Sequence, residues 1–276
     1  MAINRADGER ALTSNTIGDG NTAIGEKALA SNVDGTSNVA LGRQSMDGNT
    51  SGSNNVAAGM RAMYNNEDGV ENTAIGHNSL YTNVSGSYVT AVGTRSLYNN
   101  TASHNTATGQ ESLYSNTTGN QNTANGSKAL FSNTTGNNNT ANGSEALFSN
   151  TTGYQNTANG PYALHSNTTG SENTALGYNA LYANTTADRN TALGTNSLYT
   201  NSTGWDNTAV GHESLNTNTT GYSNTAMGNN AMILSTTGSA NTAIGKNAMS
   251  SATSAFLNTS VGMISMPNLT TGNSNA

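Results

Sequence analysis

The side chains with the widest chemical range in this chain are four histidines, His77, His104, His165 and His212. Imidazole ligates metals and moves protons near neutral pH, so their spacing is weighed first. His77 and His212 share a register of a repeating pattern but stand eight repeats apart, about 38 Å at ~4.8 Å per stacked strand. No metal cluster follows, and the four read as surface variation. Aspartates and glutamates are scattered, with no pair that suggests general acid and base work. A calcium-binding repeat needs acidic ligands at every turn, which Asp7 and Asp34 do not provide. The glycine-rich run Gly18–Gly25, GDGNTAIG, lacks the lysine of a phosphate-binding loop and the spacing of a dinucleotide fingerprint. There is no cysteine, hence no thiolate zinc site and no disulfide. These residues predict no catalytic, cofactor-binding or metal site, no cofactor, and a protein that is not an enzyme.

What the chain has instead is a period. Asn122–Asn138 reads NTANGSKALFSNTTGNN, Asn139–Gln155 reads NTANGSEALFSNTTGYQ, and Asn156–Glu172 reads NTANGPYALHSNTTGSE. The repeat is 17 residues long. A fixed short period implies a solenoid, in which each repeat buries its apolar face only against its neighbours. Numbered from the leading Asn, the fifth column is Gly in sixteen successive repeats, from Gly8 to Gly262. One repeat, Val89–His104, is 16 residues long and lacks a residue near its second turn, where Ala102 takes the place of Gly. No linker or composition break interrupts the series, so residues 1–276 are expected to form a single repeat domain.

The columns differ in what they tolerate. The third is Ala except at Ser260, the eighth is Ala or Ser, and the ninth is Leu or Met. The twelfth is Asn from Asn15 to Asn218, and the fifteenth is mostly Gly, with Ala at Ala187 and Ala255. The sixth, seventh, sixteenth and seventeenth vary and hold most of the charges. Restricted small and aliphatic columns point inward, where the coils above and below fix the volume. Variable charged columns point to water. The two glycine columns mark tight turns that need positive φ or close backbone approach. The first four columns, rich in Thr and β-branched residues, suit a short strand. The eighth to tenth columns make a second wall, either a strand or a single helical turn, and strand is the favoured reading. The result is an all-β fold, a parallel β-solenoid (β-roll) of about 16 coils of 17 residues, stacking into a rod roughly 75 Å long.

Two further columns bear on function. The fourth is apolar early (Ile24, Leu41, Ile75, Val92) and late (Leu176, Leu193, Val210, Met227, Ile244, Val261), but is Asn at Asn125, Asn142 and Asn159. That pattern fits either a contact surface or an interior asparagine ladder. The tenth is largely aromatic, from Tyr64 through Tyr182 and Tyr199, and His165 breaks it. It reads first as packing and second as a carbohydrate-binding strip. The second-column threonines allow an ice-binding reading, which the lack of a second Thr two residues on weakens. The N-T-T triplets are formal glycosylation acceptors, more simply read as structural Asn and Thr ladders.

Composition narrows the partners. Only 33% of residues are hydrophobic and 9% charged, at a net charge of −6. No basic patch suits nucleic acid, no apolar run approaches a membrane span, and the start MAINRADGERAL has no apolar signal-peptide core. Neither end carries an evident cap, which predicts end-to-end stacking or a piece of a longer fibre.

The strand NTALG followed by GxxALY, as in Asn173, Ala175, Gly177 and Leu181 with Gly170 one coil earlier, resembles the head repeats of trimeric autotransporter adhesins and the repeats of phage tail-fibre-like proteins. That resemblance implies a left-handed parallel β-roll, trimeric association and an extracellular or virion-surface location. The 17-residue coil is longer than the usual adhesin-head repeat. The expected function is a non-enzymatic structural fibre segment, self-associating as a trimer or an end-to-end filament. An ice-binding or glycan-binding solenoid is the alternative, with a cell-surface glycan or receptor as a partner.

Overall fold

The computed structural model describes residues 3–275. It divides into two compact units, Met1–Asn138 and Asn139–Ala276. In the first unit the strands are β1 (Arg5–Asp7), β2 (Thr22–Ile24), β3 (Val39–Leu41), β4 (Val56–Ala58), β5 (Thr73–Ile75), β6 (Thr90–Val92), β7 (Thr106–Thr108) and β8 (Thr123–Asn125). In the second they are β9 (Thr140–Asn142), β10 (Thr157–Asn159), β11 (Thr174–Leu176), β12 (Thr191–Leu193), β13 (Thr208–Val210), β14 (Thr225–Met227), β15 (Thr242–Ile244) and β16 (Thr259–Val261). Within each unit every strand pairs in parallel with the next, and equivalent columns face each other, as in Thr174↔Thr191, Ala175↔Ala192 and Leu176↔Leu193. The described residues contain no helix. The chain is therefore an all-β parallel β-solenoid, as the period predicts.

Each strand supplies columns two to four of its coil. Successive side chains alternate across a strand, so the middle residue alone points inward. Ala175 and Ala192 are fully buried, while Leu176 and Leu193 are exposed. The fourth column thus lies outside, and its run of asparagines is an exterior ladder, with Asn142 Nδ2 donating to Asn159 Oδ1 at 2.7 Å. The interior consists of the Ala of column three, the Ala or Ser of column eight and the Leu or Met of column nine, together with the asparagines of columns one and twelve, nearly all fully buried.

The second wall is neither of the forms expected from sequence. Columns six to eleven are a succession of turns. In the coil Asn173–Arg189, the Ala180 N–H donates to Gly177 O at 3.3 Å and the Asn184 N–H to Leu181 O at 3.2 Å. Asn179 and Leu181 both have left-handed backbones, at φ of 56° and 53°. Left-handed backbone at every second residue reverses the direction in which the N–H groups point. The Asn179 N–H donates back to Pro161 O of the preceding coil, and the Leu181 N–H donates forward to Ser197 O of the next. A helix would keep these bonds within the coil, and a regular strand could not turn this tightly. A left-handed Leu costs about 1–2 kcal/mol, which burial of the whole Leu181 side chain offsets by a similar amount.

The two glycine columns have different causes. Gly177, in column five, has a φ of +136°, and a Cβ there would lie 2.7 Å from the carbonyl carbon of Gly194. Gly204, in column fifteen, is not left-handed; its constraint is space, since a Cβ would meet Asn201 Oδ1 at 2.6 Å and the Gly221 carbonyl still closer. Ala187 and Ala255 show that a neighbour can give way at column fifteen, whereas column five is Gly throughout. Gly177→Ala should therefore cost at least ~2 kcal/mol, and Gly204→Ala clearly less. Urea unfolding of the two variants checks this, and equal losses would contradict it.

Candidate functional site

The polar chemistry of the chain is concentrated inside. Column-twelve asparagines form a side-chain ladder: Asn167 Nδ2 donates to Asn150 Oδ1 at 2.9 Å, Asn184 to Asn167 at 2.8 Å, Asn201 to Asn184 at 3.0 Å and Asn218 to Asn201 at 2.7 Å. Each also donates to the column-fifteen carbonyl of its own coil, as Asn201 does to Gly204 O at 2.8 Å. Column-one asparagines reach the same carbonyl from the other side, Asn190 Nδ2 donating to Gly204 O at 2.8 Å. Their Oδ1 atoms accept the backbone N–H of the next coil, as Asn190 Oδ1 does from Asn207 at 3.0 Å. One column-fifteen carbonyl thus takes two side-chain amides where columns one and twelve are both Asn, whether its residue is Gly204 or Ala187. Threonines of column thirteen add an outer ladder, Thr168 Oγ1 donating to Thr185 O at 3.0 Å.

This places the N-T-T acceptors plainly. Asn184 and Asn218 are fully buried, and their Nδ2 hydrogens are already donated, so neither nitrogen can carry a glycan in the folded coil. Asn184→Ala would orphan the Asn167 acceptor and one Asn201 donor, each costing about 1–3 kcal/mol. Asn184→Asp would be worse, since a buried carboxylate cannot donate to Asn167 or Ala187. Thermal unfolding should rank wild type above Asn184→Ala above Asn184→Asp; a neutral effect of either change would refute the ladder.

The outward faces carry the remaining candidates. The histidines do not converge. His77 and His212 lie exposed in different units, and His212 Nδ1 is 3.9 Å from Glu213 Oε2. His104 stacks on Tyr88 at 5.1 Å. His165 does not break the aromatic column but continues it, at 5.3 Å from Phe148 and 5.1 Å from Tyr182, with Nε2 3.4 Å from Glu145. Among the described residues no three of His, Asp and Glu group as metal ligands, and no helix is long and apolar enough to cross a membrane.

The tenth-column rings pack face to face. In the first unit Tyr64, Tyr81, Tyr98 and Tyr114 stack at 5.0–5.3 Å; in the second, Tyr182 and Tyr199 stack at 5.3 Å. Between the end rings Tyr64 and Tyr199 the faces meet one another, so the inner rings turn only edges and hydroxyls outward. A recess of about 270 Å³ opens beside the second stack, between Tyr162, Tyr178, Asn179, Tyr182 and Tyr199. Burial, with the neighbouring phenols of Tyr81 and Tyr114 adding to it, raises the Tyr98 hydroxyl above its ordinary pKa of 10.0. A phenol whose folded pKa is raised contributes its full stability below the unfolded pKa, and that contribution is lost as pH rises through the folded value. Tyr98→Phe should therefore gain stability relative to wild type above pH ~10, read by unfolding at pH 7 and pH 11; an unchanged difference would refute it.

A second recess, of about 290 Å³, is lined by Thr186, Ala187, Asp188, Arg189, Thr203 and Trp205. Arg189 Nε donates to Asp206 Oδ1 at 2.7 Å, and its guanidinium carbon lies 5.8 Å from the Trp205 ring centre. The hydrogen bond to Asp206, with that carboxylate's charge, holds the Arg189 pKa above its ordinary value. Sequence reasoning passed over this cluster, although two signals marked it: the only tryptophan of the chain, and one of the few coils whose column fifteen is not Gly. The buried role of column one has no comparable signal, because an Asn that opens each repeat looks the same in sequence whether it faces in or out.

Comparison with known protein families finds no matching family model, and comparison with curated proteins finds no match.

Proposed function

We propose that this chain is a non-enzymatic structural protein: a fibre segment of an extracellular or virion-surface assembly that associates with further copies of itself. The observation that carries the reading is where the restricted residues are used. The asparagines, glycines, alanines and leucines that the repeat holds constant all join coil to coil, and the histidines and acids among the described residues are spread over outward columns. The similarity of the NTAxGxxAL pattern to adhesin heads and tail-fibre repeats supports the same role.

The apolar fourth column supports self-association. In the second unit Leu176, Leu193, Met227, Ile244 and Val261 are 38–68% exposed along one strand face. Apolar residues in an unbroken exposed row mark an interaction surface. A trimer would bury that row, and an end-to-end filament would instead pair strand edges. The ice-binding alternative is weaker, because the threonines of column two stand beside this apolar row rather than beside a second threonine column.

Negative-stain microscopy with light scattering tests the proposal. Discrete rods of three chains, reduced to single chains by Leu193→Glu with Ile244→Glu, are expected from lateral association; long filaments indifferent to those changes are expected from end stacking. Compact monomers at all concentrations would overturn the fibre reading.

A further inference from the structure

We propose that the recess beside Trp205 is a binding site for a neutral pyranose sugar. The inference does not rest on the fibre reading. It rests on an aromatic ring that ends its stack beside a carboxylate and a guanidinium. In the tenth column the inner rings are covered on both sides by other rings, and the end rings Tyr64 and Tyr199 have Asp47 and Asn216 as their neighbours in the coils beyond. Trp205 has Tyr222 on one face, nearly parallel at 4.9 Å. The position facing its other side, in the preceding coil, is Asp188 rather than a ring. That side borders the recess, where the Arg189 guanidinium carbon lies 5.8 Å from the ring centre, and Trp205 remains 41% exposed.

The polar groups around it have unused capacity. Asp188 accepts the Ser171 N–H at 2.7 Å through Oδ1, which leaves Oδ2 to accept. Arg189 binds Asp206 through Nε, which leaves both terminal NH₂ groups to donate. Thr186 and Thr203 are exposed on the rim. An aromatic face carries negative charge density and attracts the weakly positive C–H groups on one face of a pyranose. A carboxylate and a planar guanidinium then take the hydroxyls that project around the ring edge, and charged partners make these the stronger hydrogen bonds. A cavity of about 290 Å³ accommodates one sugar residue, with the rest of a glycan directed to solvent. Asp188, Asp206 and Glu172 surround a single cation, Arg189, so the local field disfavours an anionic sugar.

Trp205 is the only tryptophan, so its emission reports this recess and nothing else. The full chain is titrated with the methyl glycosides of glucose, galactose, mannose and N-acetylglucosamine, and with N-acetylneuraminic acid as the anionic counterpart. The expected result is a saturable emission change with at least one neutral glycoside, half-complete at about 1–10 mM as suits an open, shallow site, and a smaller response to the sialic acid. Asp188→Ala and Thr203→Val, which keep the fluorophore, should each weaken binding about tenfold. Trp205→Phe, read by saturation-transfer NMR with circular dichroism unchanged, should weaken it further. No saturable change with any neutral glycoside would overturn the assignment. So would a change that survives both Asp188→Ala and Thr203→Val, or a stronger response to the sialic acid, which would make Arg189 an anion site instead.

Discussion

One carbonyl oxygen per coil governs the rest of the structure. The column-fifteen C=O accepts an amide from the column-one asparagine and another from the column-twelve asparagine of the same coil. Buried backbone and amide groups must find partners, or each costs on the order of 1–3 kcal/mol. Here they satisfy one another across the coil, and the asparagine oxygens pass the bonding on to the next coil. Ala187 O also accepts both amides, from Asn173 at 2.8 Å and Asn184 at 3.0 Å, so the carbonyl's double role does not depend on glycine. Glycine in most coils instead leaves room for the column-twelve Oδ1 and the carbonyl of the next coil. A coil that encloses only two small residues and one Leu or Met can then close around a polar interior.

The shortened coil shows how closely this network is tied to the repeat length. Val89–His104 lacks the residue of column fourteen, and Asn100 reaches its turn carbonyl, Ala102 O, two residues away instead of three. That shift pulls Asn100 out of the ladder below, and Asn83 Oδ1 is left buried without a partner. The same coil carries Val89 where its neighbours have asparagine, so no second amide competes for the displaced carbonyl, and the Val89 N–H still donates to Asn72 Oδ1 at 2.9 Å. On the other side Asn116 rejoins the ladder through Asn100 Oδ1 at 2.7 Å. A similar orphan appears at Asn218 Oδ1, where the ladder gives way to Ser235.

Because the interior is the same from coil to coil, what distinguishes one part of the chain from another lies in the outward columns. The fourth column sets where apolar surface is shown, the tenth stacks rings along one flank, and the sixteenth and seventeenth carry isolated features such as Trp205 and Arg189. The proposed self-association and the proposed sugar site are in this sense additions to a scaffold whose stability they do not share. The proposed fibre role draws on the scaffold, while the proposed sugar site draws on a few residues that depart from it.

The period, the parallel stacking and the inward columns of Ala and Leu are legible in the sequence, because each follows from side-chain type repeated at fixed spacing. The sequence also marks both glycine columns, without separating their causes: Gly177 needs its φ, and Gly204 needs the room beside Asn201. The form of the second wall emerges only on folding, since left-handed backbone at Asn179 and Leu181 leaves no trace in residues that are common in strands and helices alike. Folding also turns the fourth column outward, since three residues of strand are too few for alternation to be read from sequence. The recess at Trp205 needed the fold as well. Asp188, Arg189 and Trp205 stand up to 17 residues apart along the chain, and they become neighbours only when one coil is laid on the next.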